Sequence, residues 1–456
     1  MNIKLLNVKA FAFFSCTFLV INATNAQCWR TVTAAENRTT AIQNDGTLWT
    51  WGRNFENSLG DGTNFNRYTP YQISTATDWK SVTANYGHSL ALKTDGALWG
   101  WGFNYDGELG NGTTALQPIP TRLGDAFWKS VSAGFSFCLG IKTDGSLWSW
   151  GYNFNGQLGD GTTVTRLVPT QISSESWSFV AGGGFMSSYA IKEDGTLWSW
   201  GDNTYGQLGY GNLNASYTPV QVGTANDWKY ISAGPYTVLG LKTDGTLWAW
   251  GKNNLGEIGD GTYVNRIAPV QIGTDQWLSV CISGLSSTGV KANHTLWGWG
   301  YNGFGQLTDQ LGGNDNVPSQ IGSASDWQSV AAGGNHSVMT KLDGSLFGCG
   351  YNLYGQLGDG TNVDKAILTI VDCTNLSDIP FVFQKSSIIV SPNPATDRID
   401  FSEKVKSISI FDLNGRMVKS SVINGMSLPV TELSSGVYIL QYETDNELLQ
   451  TKLIKE

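Results

Sequence analysis

The side chains that most often carry catalysis are scarce and scattered in this chain of 456 residues. Its three histidines, His88, His294 and His336, lie too far apart for an H-x-x-x-H metal or metalloprotease signature. No Ser/His/Asp grouping, paired-carboxylate pattern or phosphate-cradling loop stands out, and the Gly-Asp-Gly-Thr segments recur along the chain as turns do. No metal or cofactor is therefore expected. The 28 basic residues face 37 acidic ones, a net charge of −9, with no Lys/Arg-rich run, so nucleic acid is a poor partner. What the chain has in quantity is aromatic surface: 19 Trp, 17 Tyr and 19 Phe, beside 56 Gly and only 14% charged residues. That profile excludes a disordered tail and a coiled coil, and points to chemistry of contact rather than of proton transfer.

The first 26 residues place Lys4 and Lys9 before an apolar run from Ala10 to Ile21 and end in a small-residue exit at Ala26, the form of a secretory signal peptide. The run is too short for an ordinary transmembrane helix, and no later segment is long and apolar enough to span a bilayer. Of six cysteines, Cys16 falls within this leader. Cys138, Cys281 and Cys349 occupy small or apolar repeat positions and are expected to be buried and unpaired.

A period then dominates the chain. A Trp opens each copy at 29, 79, 128, 177, 228, 277 and 327. Each copy holds a short β-branched stretch such as Ser130 to Ala133, a loop, an alternating run, an Asp-Gly pair, and Leu-Trp-x-Trp-Gly. Asp-Gly between alternating runs signals a tight hairpin, whose turn needs positive φ. The sixth copy has Asn293-His294 instead, so His294 reads as a turn residue. A fourth short strand, as in Pro169 to Ile172, ends each unit. Four antiparallel strands repeated seven times predict an all-β fold, a seven-bladed β-propeller over residues 27–374, followed by a linker over 375–387 and a small C-terminal β-sandwich over 388–456. In a closed ring Cys28, before the first Trp, and Cys373, after the last apolar strand, both approach the seam, which predicts a Cys28–Cys373 disulfide.

The string G-x-N-x-x-G-Q-L-G-D-G-T at Gly151 to Thr162 and Gly350 to Thr361, with A-G-x-x-H at Ala332 to His336, resembles the regulator of chromosome condensation repeat over about 28 to 373. The resemblance implies a seven-bladed propeller. Members of that family include a nuclear guanine-nucleotide exchange factor, plant photoreceptors and a secreted bacterial inhibitor that caps β-lactamases. The exchange factor works through a wedge inserted in one blade, and no copy here has room for one. At the C-terminus, S-P-N-P at Ser391 to Pro394, F-D-L-N-G-R at Phe411 to Arg416 and S-S-G-V-Y-I-L at Ser434 to Leu440 resemble the type A sorting domain of the type IX secretion system. That resemblance implies handling by the type IX machinery and a secreted or outer-membrane surface location on a Gram-negative bacterium.

Every Trp lies within the repeats, so the Trp set reads as packing, and function is assigned to the positions that vary between copies. Strand alternation puts the first-to-second and third-to-fourth strand loops on one face. The first set supplies Tyr86, His88, Phe135, Phe137, Phe185, Tyr236 and His336, with Met186, Leu285 and Asn335. The second supplies Phe55, Tyr105, Phe154, Tyr205, Leu255, Phe304 and Tyr354, with Phe103, Tyr152, Tyr301 and Tyr351 beside the Asn. Two rings of mostly aromatic residues make a docking surface for a protein or glycan, because rigid rings supply contact at low entropic cost. The opposite face, with its Lys-x-Asp-Gly hairpins, reads as solvated. The expectation is a monomeric, non-enzymatic binding module. The alternative is a secreted hydrolase or lyase with a site in the propeller funnel, for which the sixth copy's departure at Thr308 to Asp315 is the only non-repeating feature.

Overall fold

The computed structural model describes residues 28–282, 284–307, 313–371, 390–412, 417–443 and 448–456. The expected leader, the linker, Cys373 and Thr308 to Gly312 lie outside the described residues. The chain divides into two compact units between Cys373 and Thr374.

In the first unit the described strands form seven four-stranded antiparallel blades. Blade 1 runs through Trp29–Ala35, Arg38–Gln43, Leu48–Gly52 and Arg67–Ser74. Two long strands, Gln117–Ala133 and Arg266–Ile282, each serve as the outer strand of one blade and continue into the inner strand of the next. The Trp-opened strands are innermost: each packs against its counterpart in the next blade around the whole circle, and Trp327–Ala332 packs against Trp29–Ala35. The closing seam is bonded as well as packed, with Gly334 N donating to Glu36 O at 2.7 Å and Gly360 N to Tyr68 O at 2.9 Å.

The three Trp positions of a copy do three jobs. The opening Trp residues are 1–5% exposed and sit in the inter-blade cores. The second Trp of each pair is fully buried, and in blades 3 to 6 its indole N–H reaches the preceding blade: Trp150 to Glu108 O at 2.8 Å, Trp200 to Gln157 O at 2.9 Å, Trp250 to Gln207 O at 2.7 Å and Trp299 to Glu257 O at 2.9 Å. In blade 7 the Cys349 thiol takes the same place and donates to Gln306 O at 3.3 Å. In blades 2 to 6 the first Trp of the pair is met by the hairpin lysine, with Lys142 Nζ 3.3 Å from the Trp148 ring centre and Lys291 Nζ 3.3 Å from that of Trp297, whereas blade 1 has Gln43 at that position. The hairpin face is thus less solvated than its composition suggests, because these lysines set their ammonium groups over indole.

The Asp-Gly turns form as expected, with φ of +84° at Gly46 and +83° at Gly195, and His294 fills the equivalent turn at φ +63°. The closing glycine of W-x-W-G has φ between +89° and +103° in all seven blades, and a Cβ there would lie 2.1–2.8 Å from a backbone oxygen of the facing loop. Only glycine meets both demands. The second unit is a five-stranded antiparallel sheet in which Arg398–Asp412 shifts register between Asp400 and Ser407, and it closes over a core including Phe401, Ile408, Leu440 and Tyr442.

Candidate functional site

Each first-to-second loop ends on a residue paired directly opposite that closing glycine: Arg38 with Gly52, His88 with Gly102, Phe137 with Gly151, and His336 with Gly350. This register decides their fate. His88, Phe137 and His336 are 1%, 0% and 1% exposed, so these three residues, expected on the docking surface, instead lie between blades. They are the first residues of their strands rather than the last of their loops, and period-2 alternation turns them inward. His88 Nε2 is 3.2 Å from Cys138 Sγ in blade 3, and His336 Nε2 is 3.2 Å from Thr39 Oγ1 in blade 1, so each clips one blade to the next. Burial lowers the His88 pKa to about 3 and that of His336 to about 4, and pushes the Cys138 thiol well up. The His88–Cys138 pair is therefore a neutral hydrogen-bonded contact, with the thiol donating to Glu108 O at 3.2 Å, and not a thiolate–imidazolium couple.

The remaining loop aromatics converge. Tyr86 and Phe135 have ring centres 4.3 Å apart, Phe135 and Phe185 5.1 Å, Phe185 and Tyr236 5.3 Å, and Tyr236 and Tyr205 4.7 Å. One ring from each of blades 2 to 5 thus touches the next, forming a crescent. Phe103, buried beneath, joins Tyr86 at 5.8 Å to Phe55 at 5.9 Å and Tyr105 at 5.6 Å. A second arc runs Tyr301, Phe304, Tyr351, Tyr354, with the central pair 5.2 Å apart. Arg53 links the two arcs across the blade 7–blade 1 seam, its guanidinium 5.1 Å from the Phe55 ring centre and 5.2 Å from that of Tyr354. Phe55, Tyr86, Tyr105 and Phe154 are exposed, whereas Phe135, Phe185, Tyr205, Tyr236, Phe304 and Tyr354 are half-buried. Phe154, 73% exposed, pairs only with Tyr152 among the described ring contacts and stands apart from the crescent.

Local sequence explains why these loops hold still. The Asn of each G-x-N segment is buried, and its side-chain oxygen accepts the backbone N–H five residues on, as from Leu158 to Asn153 at 2.9 Å, while its amide donates into the following turn. The Asp of Gly-Asp-Gly-Thr caps that turn and binds a cation, as in Asp160 with Arg166 at 2.6 Å. These carboxylates are committed to structure. Tyr86 is held in the left-handed region at φ +29°. Arg38, buried in blade 1, donates to the carbonyls of Asn85 at 2.9 Å, His88 at 2.6 Å and Tyr86 itself. Arg38 and Arg53 were not singled out from sequence. The available signal was the first copy's N-F-E-N-S-L-G, which departs from N-x-x-G-Q-L-G at Asn57 and Ser58.

Comparison with known proteins agrees with this architecture. Residues 16–283 match the RCC1-like domain, and residues 293–340 and 327–356 match the regulator of chromosome condensation (RCC1) repeat. Residues 390–456 match the secretion system C-terminal sorting domain, which marks a secreted propeller protein handled by the type IX system. Among solved structures, human WBSCR16 aligns with a TM-score of 0.64 at 20% identity, over 71% of this chain and 93% of that one. Prp20p from Saccharomyces cerevisiae aligns with a TM-score of 0.61 at 23% identity, over 68% and 82%. Yeast RCC1 (Prp20) in its complex with Kap60 gives 0.64 at 17% identity, over 83% and 92%. These likenesses concern the fold. No curated protein matches the chain in sequence. With the domain match spanning more than half of its length and the blades closing into one ring, the chain belongs to the RCC1-like domain family.

Proposed function

We propose that the protein acts by binding: the aromatic crescent on one propeller face docks a protein or glycan outside the cell, and the C-terminal unit serves only to bring it there. The single observation that carries this reading is the unbroken contact of Tyr86, Phe135, Phe185 and Tyr236, contributed by loops of four consecutive blades. Packing within a blade does not require rings at these positions, since the corresponding loops of blades 6 and 7 carry Leu285 and Asn335. A rigid ring cluster on a scaffold stapled blade to blade loses little entropy on binding and supplies the large anchors typical of energetic centres. The funnel-enzyme reading has less support, because the ionisable groups nearest the loop bases, His88, Cys138 and Glu108, are buried and hydrogen-bonded within the fold.

The test is an array of extracellular proteins and glycans probed with the purified chain. A captured ligand should be lost, by about 2 kcal/mol or more per anchor, on Phe135→Ala or Tyr236→Ala, with circular dichroism unchanged. Turnover of a polysaccharide, or binding indifferent to both substitutions, would overturn the reading.

A further inference from the structure

We propose that a cleft between blades 1 and 2, at the edge of the crescent, is a subsite for the carboxylate of an Asp or Glu side chain on a protein partner. Arg38 and Arg53 line it together with Glu36, and Phe55, Tyr86 and Phe103 form its walls. The proposal rests on the docking reading above for its biological occupant, but its chemistry is local to the cleft.

Two independent features make the cleft. The first is space. In the other six blades a Gln or Glu follows the turn, and its side-chain oxygen folds back to accept the N–H two residues before, as Gln157 does from Asn155 at 3.0 Å and Gln356 from Tyr354 at 3.0 Å. Blade 1 has Ser58 there, whose hydroxyl donates to Arg53 O at 3.1 Å and leaves the volume beyond it open.

The second is charge. Arg38 stands where the other blades place His88, Phe137, Ser187, Thr237, Ser286 and His336. It is 2% exposed, its acceptors are carbonyls and the Ser89 hydroxyl, and among the described residues its Nε has no partner and no carboxylate pairs with it. Arg53 is paired with Glu36 at 3.8 Å. Glu56, on the same loop, serves Tyr105 through a side-chain hydrogen bond. The cleft therefore holds two guanidinium groups that share the charge of Glu36, and a buried cation with only part of a counter-charge gains from an incoming anion.

The dimensions select the anion. The cleft is small, about 20 Å³, room for a single oxygen-sized group. A carboxylate on a flexible methylene stem can place one oxygen in it, beside the two guanidinium groups that line it. A uronic acid carries its carboxylate directly on a ring that the cleft does not admit.

The experiment follows the side-chain N–H resonances of Arg38 and Arg53 in the full chain by nitrogen-15 NMR. Three probes are titrated: N-acetyl-glutamate N-methylamide, its neutral glutamine counterpart, and D-glucuronate. Saturable shifts at both arginines with the glutamate probe, absent with the glutamine probe and weaker with glucuronate, are expected. Ser58→Gln, which restores the side chain type found in four other blades, should weaken glutamate binding at least tenfold, about 1.4 kcal/mol, without unfolding the ring. The free probes read the cleft with no partner on the crescent, so the subsite and the crescent fail separately. No saturable shift, equal response to the glutamine probe, tighter binding of glucuronate, or indifference to Ser58→Gln would overturn the proposal.

Discussion

Glu108 shows how one atom type changes the behaviour of a repeated position. It sits in blade 2 where blades 3, 4, 6 and 7 have Gln157, Gln207, Gln306 and Gln356, and its Oε2 accepts the Asp106 N–H at 3.0 Å as the amides do. Burial raises its pKa from 4.5 to about 7. Between those values the folded protein holds a proton that the unfolded chain has released, so this group makes stability fall as pH rises through that window. Glu108→Gln should therefore stabilise the protein by about 1–3 kcal/mol at pH 8 and by almost nothing below pH 4.5, read by urea unfolding at both pH values. His88 and His336 act with the opposite sign. Their pKa values, lowered to about 3 and about 4, mean that the unfolded chain binds protons first, so their contribution is whole above about 6.5 and is lost as pH falls toward 4. The windows overlap between about pH 4.5 and 6.5, where two histidines outweigh one carboxylate, so the summed contribution of these three groups should be greatest near pH 6.5. Exposure separates neighbouring aromatics just as sharply: Phe137→Ala should cost about 3–5 kcal/mol, while Phe154→Ala should stay within about 0.5 kcal/mol.

At the scale of the element, the hairpins and the W-x-W-G strands were legible in the sequence because their signals are local. Asp-Gly demands a tight turn, and a period of two fixes which residues of a strand share a face. A Cβ at Gly195 would lie 2.0 Å from Asn226 O in a residue already at φ +83°, so Gly195→Ala should destabilise by at least about 1–2 kcal/mol and lower the thermal midpoint. The loops were legible only in part. His88 and His336 stood in a motif that reads as loop, yet the strand begins one residue earlier than the motif suggests, and a single position in a period of two reverses inside and outside. The hairpin lysines hold a similar lesson. Lys93, Lys192 and Lys242 pair with Asp78, Glu175 and Asp227 while lying over indole rings, contacts between residues that the period brings together only after the blade has folded.

For the whole molecule, stability depends on closing the circle. The Trp29, Trp49 and Trp51 cluster of blade 1 packs with Val338, Leu346 and Val371 of blade 7, joining chain segments about 300 residues apart. Cys28, at the start of this seam, is disulfide-bonded, whereas Cys138, Cys281 and Cys349 are free. The expected partner, Cys373, lies outside the described residues. Cys28→Ser should cost about 2–4 kcal/mol, read by urea unfolding under non-reducing conditions. Non-reducing peptide mapping identifies the partner, and a Cys373 thiol found free would refute the clasp. Deletion of 388–456 should leave the propeller's thermal midpoint in place while preventing its release to the surface or medium.

The sequence by itself determined the number of blades, the strands within them, the turn residues and the sorting domain, because each is written as a short-range pattern and repeated often enough to be unmistakable. It also determined which residues vary from copy to copy. Only the tertiary structure decided which of those varied residues face outward and which meet one another. Tyr86 touches Phe135, and Arg38 reaches Asn85 and His88, across about one repeat length, through contacts between blades rather than within them. Side-chain contact across a seam depends on register, rotamer and the size of the facing residue, and no local pattern encodes those three together.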